Sequence, residues 1–226
     1  MTITLDNGIK GCGAEEKDAD WFNDPGRTDA YTQHLLDLVT RYKGDSTIAW
    51  FEYLNEPSWA GGALRTFYDQ EGAKAKAIDP DRLFATGTIA PYALDGDDNF
   101  RNLSASPGVD IVSLHEYDAN EVESHWGPEV IANSDGKPVI VGEFGVYASV
   151  SGTGNPGDGQ DCQATVDQRE SIIRNKAAYY IGPEHGYIGA IVWAWHPGNP
   201  LEDCNTSNLA VDDGVGDTMR TLGTNG

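Results

Sequence analysis

Short, nearly continuous apolar runs recur along this chain. They cover residues 2–5, 48–54, 83–86, 111–114, 139–141 and 188–193, and stretches of helical periodicity separate them. A strand that is apolar on both faces must be covered on both faces, which is the condition of a parallel sheet flanked by helices. Tyr31, Leu35, Leu38, Val39 and Tyr42 recur at helical spacing behind start signals at Asp24-Pro25 and Thr28. Leu64, Phe67, Tyr68, Ala75 and Ile78 form a second stripe, stopped by Asp79-Pro80. Val166, Ile173, Ala177 and Tyr180 form a third, stopped by Gly182-Pro183, and residues 122–132 carry a weaker fourth. Strands alternating with helices predict an α/β fold made of β/α units. Two polar stretches, 11–26 and 149–165, interrupt the rhythm after strands; in a β/α barrel such loops build the active face.

Four of the runs lead into unusual polar or aromatic clusters. The second run continues into Asn55-Glu56-Pro57, the fourth into His115-Glu116-Tyr117, and the fifth into Gly142-Glu143-Phe144-Gly145. The sixth leads into Trp193-Ala194-Trp195-His196. A carboxylate at the end of a buried strand is costly unless it is paired or used. One such glutamate is accounted for by loop amides. Two on different strands, joined by a His-x-Tyr and a Trp, call for a shared pocket if the strand ends converge. Two facing carboxylates have a specific use in glycosidic cleavage: one protonates the leaving oxygen, the other attacks the anomeric carbon or activates water. Their surroundings must push the two pKa values apart. Asn55, His115 and Tyr117 can supply hydrogen bonds there, Trp193 offers a flat face to a sugar ring, and Trp59 is a further candidate for substrate binding. Glu52 is expected to face a buried polar layer or to pair with Arg41, and Glu116, alternating with His115 and Tyr117, to point away from them.

Composition excludes several partners. The net charge of −21 disfavours nucleic acid and anionic membrane surfaces, whereas a neutral polysaccharide would not be repelled. No stretch approaches the ~20 apolar residues of a membrane span. The first residues show no basic region followed by an apolar run, so no signal peptide is read in this chain. The three cysteines, Cys12, Cys162 and Cys204, form no Cys-x-x-Cys pair. In an oxidising compartment Cys162 and Cys204 could form one disulfide and leave Cys12 free; otherwise all remain thiols. His115, His125, His185 and His196 lack metal-ligand spacing, so neither a metal nor another cofactor is expected. The acidic stretches 95–98 and 212–213 read as solvated turns rather than calcium loops.

With these residues in place the chain resembles glycoside hydrolase family 5, the cellulase and mannanase family. Asn55-Glu56-Pro57 is similar to the family's strand-four motif, which carries the acid/base, and Arg41-Tyr42 to the Arg-Tyr that precedes it. His115-x-Tyr117 is similar to the strand-six pair, Glu143 to the strand-seven nucleophile, and Trp193 to the strand-eight tryptophan of the cleavage subsite. The resemblance implies a TIM-type (β/α) barrel and a retaining, endo-acting hydrolase of β-1,4-linked glycans. Cellulose-type glucan is the first substrate expected and mannan the alternative; a weak or inactive carbohydrate-binding relic is a second reading. Retention implies carboxyls about 5–5.5 Å apart rather than ~6.5–9.5 Å.

The sequence departs from the family at both ends. Leu5-Asp6-Asn7-Gly8 stands where a histidine usually closes the third-strand motif, and the first two β/α units, with their supporting Arg, have no counterpart. Residues 211–226 are acidic and Gly-rich and represent the last helix poorly. The expectation is one catalytic domain over residues 1–226, incomplete at its N-terminus, with about six of the eight units of such a barrel. Open strand edges would then favour a homo-oligomer. The full-length form is expected to be secreted.

Overall fold

A computed structural model of the chain describes residues 1–6, 17–154, 161–194, 204, 206 and 215–223. Asn7, Gly8, Cys12, Trp195, His196 and the acidic pair 212–213 lie outside the described residues. Two compact units are formed, Met1–Leu114 with Pro128–Val139, and His115–Gly127 with Ile140–Gly226.

In the first unit, β1 (Thr2–Thr4), β2 (Trp50–Glu52) and β3 (Leu83–Ala85) form a parallel sheet in that order. Ile3 lies beside Phe51, and Phe51 beside Phe84. A further parallel bridge from Ala85 to Ile111 leads to the start of β4 (Val112–Glu116). Helices α1 (Ala19–Phe22) and α2 (Pro25–Arg41) follow β1, and α3 (Gly62–Ile78) follows β2. The start signals act as expected: Pro25 opens α2 and the Asp24 carboxylate accepts from the Gly26 N–H at 2.8 Å. The aromatic face is removed from water, with Phe51, Tyr53, Tyr68 and Phe84 all fully buried.

The tyrosine hydroxyls carry polar ties through that core. Tyr31 donates to the Tyr53 carbonyl, Tyr53 to the Gly108 carbonyl and Tyr68 to the Thr86 carbonyl, each at 2.7 Å. Burial pushes all three phenols well above their ordinary range, so each keeps the proton it donates. Helix α3 approaches the loop before β4 so closely that a Cβ on Gly72 would lie 2.3 Å from the Gly108 Cα. Of the acidic stretch 95–98, Asp95 lies in an exposed turn as expected, and the second half is helical instead. Asp97 and Asp98 open helix α4 (Asp97–Ser104), where carboxylates complement the helix N-terminus.

The second unit holds the ends of β4 and β5 (Val139–Phe144) and all of β8 (Tyr187–Val192), in the sheet order β4-β5-β8. The weak helical stretch at 122–132 contracts to α5 (Gly127–Ala132). Two-residue strands β6 (Ala148–Ser149) and β7 (Ala164–Thr165) pair in parallel. Helix α6 (Val166–Tyr180) starts in a capping box between Thr165 and Gln168. Cys162 and Cys204 are joined by a disulfide, with Cα atoms 5.7 Å apart. The C-terminal stretch does contain a helix, α7 (Val215–Gly223), packed on α6, which corrects the expectation for residues 211–226. Among the described residues, no helix is long and apolar enough to cross a membrane.

Candidate active site

The candidate residues divide between the two units. In the first, β2 and the two buried residues after it, Tyr53 and Leu54, deliver Asn55 and Glu56 to the strand end. The Asn55 N–H donates to the Asp6 carbonyl at 2.8 Å, tying the motif to the chain leaving β1. The Glu56 N–H donates to the Gly87 carbonyl at 2.7 Å, tying it to the chain leaving β3. Glu56 itself adopts φ 51°, the left-handed region, where a residue with a Cβ costs about 1–3 kcal/mol and persists only when its surroundings impose it. Trp59 sits half-buried in the turn ahead of α3. Tyr92 has no counterpart in the sequence reading. It stands 53% exposed on the 3-10 turn Pro91–Leu94, and partial burial followed by the charge of Glu56 pushes its phenol up. An aromatic two residues into a turn after a strand was its only signal.

In the second unit, the alternation along β4 puts His115 and Tyr117 on one side and Glu116 on the other. The Tyr117 hydroxyl donates a short hydrogen bond to Glu143 Oε2, and His115 Nδ1 lies 3.7 Å from the same oxygen. The Glu143 side chain is 12% exposed and that of His115 is buried. A hydroxyl donated to a carboxylate favours its ionised form, which is the form that attacks carbon. Trp193 follows β8, is 45% exposed and donates its N–H to the Phe144 carbonyl at 2.7 Å; its peptide bond to Ala194 is cis. Gly145 lets these pieces close up. A Cβ there would lie 2.6 Å from the Trp193 carbonyl oxygen and 3.0 Å from the Tyr117 ring.

Glu116 turns to α6, where Lys176 Nζ lies 2.5 Å from Oε1 and the Asp118 N–H donates to Oε2 at 3.2 Å. Burial raises the Glu116 carboxyl above its ordinary value, with Lys176 opposing that shift. Glu52, by contrast, faces a polar layer: it accepts from Thr4 at 3.1 Å and Ser113 at 3.4 Å, while Arg41 stacks on Tyr42.

Parallel strands alternating with helices define an α/β protein built of β/α units. Residues 13–199 match the Cellulase family, glycosyl hydrolase family 5, and the chain belongs to that family. Among solved structures it resembles an endo-β-1,4-mannanase from Thermotoga petrophila, at 17% identity and a TM-score of 0.69 over 99% of this chain and 57% of that one. An endo-1,4-β-mannanase from Rhizomucor miehei gives 17% identity and a TM-score of 0.66 over 99% of this chain and 71% of that one. These likenesses establish the barrel fold. Mannan endo-1,4-β-mannosidase 8 of rice (Oryza sativa subsp. japonica) is 30% identical over 178 residues, covering 60% of this chain and 48% of the relative. This chain therefore spans about half the length of the curated relatives it matches.

Proposed function

We propose that this protein hydrolyses β-1,4-linked mannan by double displacement, with Glu143 as nucleophile and Glu56 as acid/base. The observation that carries the reading is the Tyr117 hydrogen bond to Glu143, which suits a carboxylate kept ionised for attack. The names of the relatives favour mannan over cellulose-type glucan, so the first substrate expected from sequence gives way to its alternative. In the first step a Glu143 oxygen bonds to the anomeric carbon while the C–O bond to the leaving sugar breaks and Glu56 gives that oxygen its proton. In the second, Glu56 takes a proton from water, the hydroxide oxygen bonds to the same carbon, and Glu143 is released. Two inversions return the β configuration. Trp193 serves as the flat floor of the cleavage subsite, with Asn55, His115 and Trp59 as further sugar contacts. The scheme uses no metal or cofactor. The disulfide between Cys162 and Cys204 supports action in an oxidising, extracellular setting.

The test is hydrolysis of linear β-mannan and of carboxymethyl-cellulose, followed by proton NMR of the fresh products. Faster turnover of mannan with the β-anomer appearing first is expected. Initial α-anomer would overturn retention, faster cellulose cleavage would overturn the substrate, equal turnover in Glu143→Gln would overturn Glu143 as nucleophile, and turnover at background in the wild type would reduce the protein to a binding relic.

A further inference from the structure

Among the buried carboxylates that the catalytic scheme leaves unused, Glu52 closes β2 four residues before Glu56. Glu52 is 7% exposed. Burying a carboxylate is costly, so its surroundings must account for it. Its Oε1 accepts from the Thr4 hydroxyl at 3.1 Å and its Oε2 from the Ser113 hydroxyl at 3.4 Å, which links β1, β2 and β4. The Ser113 Oγ also accepts the Gly87 N–H at 3.2 Å. Gly87 in turn packs on Glu52: a Cβ there would lie 2.8 Å from Glu52 Cγ and 1.8 Å from the Leu54 carbonyl oxygen, at φ +68°. On either side of Gly87 the chain is fixed as well, by Thr86 Oγ1, which accepts the Ser113 N–H at 2.9 Å, and by Thr88 Oγ1, which donates to the Ser113 carbonyl at 2.8 Å.

The bonds from Ser113 hold the peptide before Gly87 by its N–H and the residues on both sides of it, and so bracket the Gly87 carbonyl that holds Glu56. Because Glu56 is in the left-handed region, it needs an external constraint, and the 2.7 Å bond to the Gly87 carbonyl supplies one. A Gly87 carbonyl turned by a few tens of degrees would release that N–H and let the backbone at Glu56 relax. The carboxyl of an acid catalyst must stay within hydrogen-bond reach of the leaving oxygen, so relaxation at its Cα would be felt in the chemistry.

We infer that Glu52 and Ser113, acting through Gly87, are positioning residues that set the backbone conformation of Glu56. The inference rests on the acid/base reading of Glu56. Its consequence is selective: loss of positioning weakens proton donation and leaves nucleophilic attack intact. A general acid supplies about 10²–10⁴-fold for a poor leaving group and little for a good one.

The experiment compares kcat/KM for phenyl and 2,4-dinitrophenyl β-mannosides in the wild type, Glu52→Gln, Ser113→Ala and Glu56→Ala. For Glu52→Gln and Ser113→Ala, the phenyl substrate should lose on the order of 10-fold, a part of what a fully placed acid gives, and the dinitrophenyl substrate less than about 3-fold. Equal losses on both substrates, or none, would overturn the inference. If Glu56→Ala also lowers both equally, the acid/base reading is what has failed; selectivity in Glu56→Ala without it in Glu52→Gln sinks the positioning claim alone. A second measurement needs no turnover. In ¹H–¹⁵N spectra, exchange of the Glu56 amide should quicken at least about 10-fold in Ser113→Ala while the amides of α3 keep their rates. An unchanged Glu56 amide would overturn the inference even if the activity assay gave no signal.

Discussion

The ties described for the two candidate carboxylates fall at different places. In the first unit, the observed ties to Glu56 run through its main chain: a strained φ, an N–H pinned by Gly87, and the neighbouring Asn55 N–H pinned by Asp6. In the second unit the ties run through side chains. Tyr117 and His115 address one oxygen of Glu143, and behind them Glu116 and Lys176 lock the same strand end to α6. The difference matches the two chemical tasks proposed. For a group that gives up and regains a proton in each cycle, a backbone tie fixes position whatever the charge of the carboxyl. A nucleophile gains from a donor on its carboxylate, because it has to stay ionised.

The largest expected effect breaks the symmetry between the two glutamates. Glu143→Ala should reduce turnover to background on every substrate, and added azide should give no β-glycosyl azide. Glu56→Ala should lose about 10²–10⁴-fold on mannan yet retain turnover of an activated aryl mannoside, with azide yielding a β-configured product. The reverse pattern would exchange the two roles. Next in size is Lys176→Ala. It would strand the buried Glu116 carboxylate and cost about 3–5 kcal/mol of stability by denaturant unfolding, whereas the double variant Lys176→Met with Glu116→Gln should recover much of that loss.

Tyr117→Phe probes the donor on the nucleophile. A hydrogen bond to a charged group contributes ~1.5–3 kcal/mol, so its loss should lower the melting temperature and reduce kcat/KM by about 10- to 100-fold, and a fall in stability alone would leave the bond structural. The smallest effect is a slope. Because the folded-state pKa of Glu116 is raised, the folded protein holds more protons than the unfolded chain between the ordinary carboxylate value and the raised one. Stability from this group therefore declines as pH rises through that window, and Glu116→Gln should flatten that part of a plot of melting temperature against pH. A slope of the opposite sign would mean that Lys176 outweighs burial.

The strand runs and three long helices were legible in the sequence because each is a local pattern: an apolar run, a stripe at helical spacing, a Pro or Gly stop. The site motifs were legible for the same reason, lying at or just after a strand end. Helix α4 escaped because eight residues carry only Phe100 and Leu103 as a stripe, and Asp95-Gly96 ahead of it resembles a turn. Helix α7 escaped because its stability comes from packing on α6, which composition does not report. The support behind Glu56 was invisible in principle. It depends on residues 52, 87 and 113 meeting in space, and nothing in their local neighbourhoods announces that.

The approach of Gly72 to Gly108 also has a meaning for how this protein can change over time. Most core contacts tolerate drift, because a loss on one side is answered by a gain on the other. Here the Cα atoms occupy the space that any side chain would need; a Cβ on Gly108 would lie 2.4 Å from the Tyr68 carbonyl oxygen, itself main chain. No second substitution can make room where the obstacle is backbone. In a library of single and paired variants, these two positions should form a closed gate: each intolerant alone, and intolerant together, with no route through sequence space that opens one by changing the other.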